Sequence, residues 1–138
     1  MLKALNPEQV RFIALLAKTA RAQRDSFLGT VEDDLVESKP AHGEHDPTAE
    51  LGFDPVPAGL PQITALRDAI AGLTVEGRSE LFALMRIGQG DLAVQKFYRG
   101  IAEAATLGDE TVTASLVEDP DLHDHLMKAL YEAKLVSP

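Results

Sequence analysis

Apolar residues recur along this chain at three- and four-residue intervals, the period of an α-helix, in six successive stretches. The first opens on Leu5-Asn6-Pro7-Glu8-Gln9-Val10. Asn6 suits an N-cap, Pro7 the first helical position, Gln9 completes a capping box, and Leu5 and Val10 can staple across it. Behind this start, Phe12, Ile13, Leu16, Ala17, Ala20 and Phe27 fall within roughly 160° of the wheel at ~100° per residue. They predict a core-facing stripe, with Gly29 as the stop.

A second helix is expected from Pro61, with Ile63, Leu66, Ile70 and Leu73 on one face and Gly72 at its end. Thr74 then caps a third helix through Ile87, in which Leu81, Leu84, Met85 and Gly88 form the stripe and Phe82 widens it. Gly77 in its first turn costs about 1 kcal/mol relative to Ala and predicts fraying there. At Gly88-Gln89-Gly90-Asp91 the pattern stops and restarts. Gly88 is expected in the left-handed conformation and Asp91 as the cap of a fourth helix carrying Val94, Phe97, Tyr98, Ile101, Ala104 and Ala105. Gly100 would let a neighbouring helix approach closely. A phosphate cradle at this Gly-x-Gly would need a strand before it, and a helical solenoid would need a second repeat; the chain supplies neither. Asp109 caps a fifth helix with Val112 and Leu116 inward, and Asp119-Pro120 starts a sixth with Leu122, Leu126, Ala129, Leu130 and Ala133 on its core face.

Between the first and second helices lies an irregular stretch with prolines from Pro40 to Pro61 and glycines at 43, 52 and 59. A helical turn over Val31 to Glu37, capped by Thr30, fits within it. The expected architecture is all-α: a small bundle of about six helices and one domain overall. Residues 1–29 form an N-terminal amphipathic helix packing on the domain, 30–60 an acidic Pro/Gly-rich connector, and 61–138 the helical core. Residues 40–58 are expected to be dispensable for folding.

Charge divides the chain the same way. The net charge of −9 is spread as +3 over residues 1–31, −7 over 32–59 and −5 over 60–138. An acidic body repels phosphate backbones, so only the basic face of helix 1, Arg11, Lys18 and Arg21, argues for nucleic acid or an anionic membrane. Asp25, one turn after Arg21, favours a solvated face balanced by acidic neighbours. The 138 residues contain no cysteine, which removes disulfides and thiolate chemistry and fits a reducing cytoplasm. No apolar run approaches the ~20 residues that span a bilayer, and the Phe12 to Ala17 run, cut by Lys18 and without a small-residue cleavage pattern, argues against a signal peptide.

Candidate chemistry is sparse. His42-Gly43-Glu44-His45-Asp46 is the most metal-like cluster, since two imidazoles and two carboxylates could hold zinc or nickel. A site needs three or four ligands held rigidly, so a chance His pair in a polar loop is the plainer reading and no cofactor is expected. His123 and His125 are ~200° apart on a helix and cannot share a metal; Asp121 could pair with His125 one turn on. No serine–histidine–acid or paired-carboxylate set stands out, so no catalytic residue is assigned.

Two stretches resemble the bacterial family known as domain of unknown function 3775. That family's pattern has a helix ending Ala-Leu-x-Trp-(Leu/Ile)-Gly-Arg-Gly-Asp and a final Pro-x-Leu-x-Asp-Tyr-Leu segment. Here Ala83-Leu84-Met85-Arg86-Ile87-Gly88-Gln89-Gly90-Asp91 and Pro120-Asp121-Leu122-His123-Asp124-His125-Leu126 are similar to them. Leu5–Val10 is similar to the family's opening helix, so the resemblance covers helix 1 and roughly residues 62–135. Arg86, Gln89 and His125 stand where the pattern has Trp, Arg and Tyr. The resemblance implies a bacterial cytoplasmic helical protein and brings no activity with it.

The sixth helix carries a second apolar stripe. Met127, Tyr131 and Leu135 recur every four residues, centred roughly 150° from the core face at ~100° per residue. Helix 1 folds back onto this stripe, a second subunit covers it, or Tyr131 and Leu135 sit half-exposed near a fraying end. The expected function is therefore a non-enzymatic helical module for protein interaction or self-association, with a homodimer or another protein as partner. The alternatives are a metal-dependent protein using His42 and His45, and nucleic-acid binding through Arg11, Lys18 and Arg21.

Overall fold

The computed structural model describes residues 2–38 and 60–134. Among these residues there are six α-helices and no strand: α1 (Pro7–Ser38), α2 (Pro61–Ala71), α3 (Val75–Gly88), α4 (Phe97–Leu107), α5 (Asp109–Glu118) and α6 (Leu122–Glu132), with a 3₁₀ turn at Val94–Lys96 before α4.

The start of α1 follows from its sequence. The Asn6 backbone N–H donates to Gln9 Oε1 at 2.9 Å and the Gln9 N–H donates to Asn6 Oδ1 at 2.8 Å, so two orphan donors are satisfied reciprocally. Leu5 and Val10 are both buried beside this cap. The helix does not stop at Gly29 but continues to Ser38. A single glycine costs only about 1 kcal/mol within a helix, and the next proline is Pro40, whose predecessor is the residue proline disfavours in the α conformation.

α3 lies at the centre, packed against α4, α5 and α6, while α1 rests on α2 and α6 and α2 reaches α5. From Leu81 to Met85 every side chain is buried, as is Ile87. Five consecutive buried side chains cover every side of the helix, so the stripe expected on α3 widens to the whole circumference over this run. The buried core cluster draws on all six helices, including Val10 and Ile13 of α1, Ile70 of α2, Leu116 of α5 and Leu126 and Leu130 of α6.

The hairpin between α3 and α4 forms with different corner chemistry from that expected. Gly88 stays in the helix, and the left-handed residue is Gly90, with φ 86°. Gly88 is needed for proximity instead: a Cβ there would overlap the backbone carbonyl of His125, so α3 and α6 cross backbone to backbone at this point. Asp91 does not cap α4, which begins at Phe97; its carboxylate accepts from Arg86 Nη1 at 2.8 Å. Gly100 does admit its neighbour closely, since a Cβ would lie 2.5 Å from Ala83 Cβ. At the other caps, Thr74 accepts the Gly77 N–H at 3.0 Å as expected. Asp109 is the first residue of α5 rather than its cap, which falls on Gly108.

The α1 stripe is also turned from its expected position. Val10, Ile13, Ala14, Ala17 and Ala20 are buried, and Phe12 is 58 % exposed. Alanines at 14, 17 and 20 let α1 lie close on α2 and α6, and that contact rotates Phe12 outward.

Candidate functional site

The two stretches that carry the family resemblance meet in space. Arg86 at the end of α3 donates to Gln89 Oε1 at 3.0 Å and to Glu103 Oε1 of α4 at 3.1 Å. Gln89 Nε2 donates to Asp119 Oδ2 at 3.3 Å, and the same oxygen lies 2.6 Å from His125 Nδ1 of α6. Asp119 Oδ1 accepts the Asp121 N–H at 2.9 Å, so this carboxylate, whose side chain is only 6 % exposed, is satisfied on both oxygens. His125 thus pairs with Asp119, not with Asp121 one turn away. A carboxylate oxygen only accepts, so this contact calls for the proton on His125 Nδ1. Beside the seam is a hollow of about 460 Å³ lined by Arg86, Gln89, Glu103, Glu118 and Asp119 over a floor of Phe82 and Met85. Its charges are mostly paired with one another, which makes the seam a stitch between α3, α4 and α6. Asp119→Ala would leave the Gln89 amide, the His125 ring and the Asp121 N–H without their acceptor. Chemical denaturation is expected to show a loss of about 1–3 kcal/mol.

A second, apolar depression lies on the opposite flank of α4. It holds about 610 Å³ between the N-terminal halves of α3 and α4 and the segment that precedes α1. Val75, Phe97, Tyr98 and Ile101 form its apolar wall, and Lys3 and Glu76 stand at its edge. Val75 is 57 % and Tyr98 60 % exposed. On α4 the polar residues Arg99, Glu103 and Thr106 occupy one strip, and Tyr98, Ile101, Ala102 and Ala105 share another at i, i+3, i+4 and i+7. No pattern of chemistry in the sequence marks this groove, because Tyr98 and Ile101 read as ordinary members of the α4 core stripe.

Two charged residues that sequence reasoning passed over are nearly buried. Glu80 on α3 accepts the backbone N–H groups of Lys3 (2.8 Å), Ala4 (3.1 Å) and Leu5 (2.9 Å). Arg78 donates from Nε and Nη2 to both oxygens of Asp109, at 2.7 and 2.5 Å, and from Nη1 to the carbonyls of Ala71 and Leu73 at the end of α2.

The basic face of α1 is partly occupied. Arg21 Nη1 lies 2.7 Å from Asp121 Oδ1 and 3.8 Å from Asp124 Oδ2, and its Nε lies 3.8 Å from Asp25. Arg11 and Lys18 are exposed. A hydrogen bond with the His123 ring, with the charges of His123, Arg21 and His125 adding to it, holds the exposed Asp124 carboxyl below its usual range. On α6, Met127 is half-buried against the core and Tyr131 is 60 % exposed. Leu135, His42 and His45 lie outside the described residues, as do residues 40–58. Among the described residues no group of three or more His, Asp or Glu could hold a metal, and no helix is long and apolar enough to cross a membrane.

A family model described as a protein of unknown function (DUF3775) matches residues 63–135. That range takes in both halves of the polar seam. No curated protein and no solved structure matches the chain.

Proposed function

The chain belongs to the DUF3775 family, and we propose that it acts without catalysis, as a helical interaction module whose partner is a second copy of itself. The observation that supports this reading is the apolar groove between α3 and α4. Large side chains at Val75 and Tyr98 face solvent beside Phe97 and Ile101 and form one continuous apolar surface. Contiguous exposed apolar surface with a polar edge is what an association site presents. Its edge carries one base and one acid, Lys3 and Glu76, both exposed. An isologous pair can set each against the opposite charge of its mate, so the long-range repulsion between two acidic chains is locally relieved.

Tyr131 on α6 is the competing face. It is equally exposed, but Met127 beside it already packs on the chain's own core, which leaves less apolar surface to cover. Amide NMR spectra recorded on dilution separate the two. Concentration-dependent shifts are expected at Val75, Phe97, Tyr98 and Ile101. Shifts gathered around Tyr131 would move the interface to α6, and spectra independent of concentration would refute self-association.

A further inference from the structure

We infer that Leu2–Leu5 is a strap latched by Glu80, and that the latch sets docking at the groove between α3 and α4; this inference rests on the groove being the interface. The segment precedes α1, and the N–H groups of residues 3, 4 and 5 converge on one carboxylate. Ala4 N–H meets both oxygens at 3.1 Å, so each oxygen serves two donors. Successive backbone N–H groups that converge in this way form an anion cradle, and Glu80 fills it from within the chain. Bonds of this kind to an ionised acceptor are short and strong.

Leu5 is the strap's apolar foot. It is buried over Gly77, one turn before Glu80, where a Cβ would come within 3.2 Å of Leu5 Cδ2. Gly77 therefore makes room for the strap, a reason for glycine in a first turn where helix propensity argues against it. The reciprocal Asn6–Gln9 cap holds the start of α1 without Glu80, so the strap can move as a unit up to Asn6 while the helix stays formed.

The strap is also a wall of the groove. Lys3 and Ala4 line the depression together with Glu80 itself. Latched, the segment shapes the groove before a partner arrives; released, it removes that wall and the Lys3 charge at its edge. Preorganisation of this kind lowers the ordering cost of association.

Glu80→Gln tests the latch with little change in volume. It leaves one acceptor oxygen and turns an NH₂ group toward backbone donors. Hydrogen exchange on the full chain is expected to show the Lys3, Ala4 and Leu5 amides at least tenfold faster in the variant, with those of Leu84 and Leu126 unchanged. The dissociation constant of the dimer should rise at least tenfold. Gly77→Ala, whose Cβ would come within 3.2 Å of Leu5 Cδ2 and equally of Thr74 Oγ1, leaves Glu80 in place, should move both readouts the same way and serves if Glu80→Gln fails to fold. Core amides that accelerate together with the strap in both variants would make Glu80 a general structural residue and overturn the latch. A loosened strap with an unchanged dimer would overturn its control of docking while the groove reading stands. A parent chain that stays monomeric, with strap amides responding as expected, would sink the docking role together with the groove reading and leave only the local latch.

Discussion

Gly88→Val is expected to cost about 3 kcal/mol or more, since over-packing without room to relax reaches that range. The new Cβ would overlap the carbonyl of His125, which belongs to the backbone of α6 and cannot swing aside as a side chain could. α3 and α6 would have to separate along a contact lined by Leu84, Ile87, Leu122 and Leu126, all essentially inaccessible to solvent. For a chain of this size the melting temperature should fall by on the order of 10 °C. Gly90→Ala is the comparator. Gly90 has φ 86° and open space around its missing Cβ, so that substitution meets only the left-handed penalty of about 1–2 kcal/mol. Thermal unfolding followed by circular dichroism distinguishes the two positions. If Gly88→Val melts with the parent, the two helices do not cross where the structure puts them.

Arg78→Ala should be comparably costly, at about 3 kcal/mol, near the lower end for loss of one partner of a buried ion pair because the Asp109 side chain is 49 % exposed. The guanidinium does two jobs at once. From the first turn of α3 it satisfies carbonyls left open at the end of α2 and anchors the first turn of α5 through Asp109. Its planar fork is what allows donation to both carboxylate oxygens, so Arg78→Lys should restore less than half of the loss. Urea denaturation of the two variants checks this. Full rescue by lysine would mean that the charge alone matters and that the fork geometry is incidental.

How far the fold could be read from the sequence depends on the range of each interaction. The capping box at Asn6 and Gln9, the Thr74 cap and the α6 core positions Leu122, Leu126, Ala129 and Leu130 follow the expectation, because each is fixed by residues within one or two turns, while Ala133 falls past the end of the helix. The close approach at Gly100 was legible for a similar reason: a glycine among strong helix formers asks for a neighbour. Asp91 was misread because its competing partner, Arg86, sits on the preceding helix and draws the carboxylate away from the α4 start. Phe12 reads as core from the sequence because the stripe can be drawn with it at one edge, and only the packing of Ala14 and Ala17 on α2 and α6 turns it out.

The seam and the latch were hidden by sequence distance. Glu80 serves amides 75 to 77 positions away, and Gln89 reaches Asp119 across 30 residues. Glu80 directly precedes the apolar run Leu81–Met85, yet nothing along the chain names the donors it meets. The two resemblance stretches were visible, but that Arg86, Gln89 and His125 would be strung on one hydrogen-bonded line through Asp119 required the fold.

The central claim, that two copies associate through the α3–α4 groove, is tested most directly by the molar mass in solution. Light scattering on the full chain is expected to give about twice 14.9 kDa at high micromolar concentration, falling toward 14.9 kDa on dilution. Tyr98→Glu should hold the chain at the lower mass throughout, while Tyr131→Glu should behave like the parent. A mass of 14.9 kDa at every concentration, or a dimer that survives Tyr98→Glu and is lost with Tyr131→Glu, would contradict it.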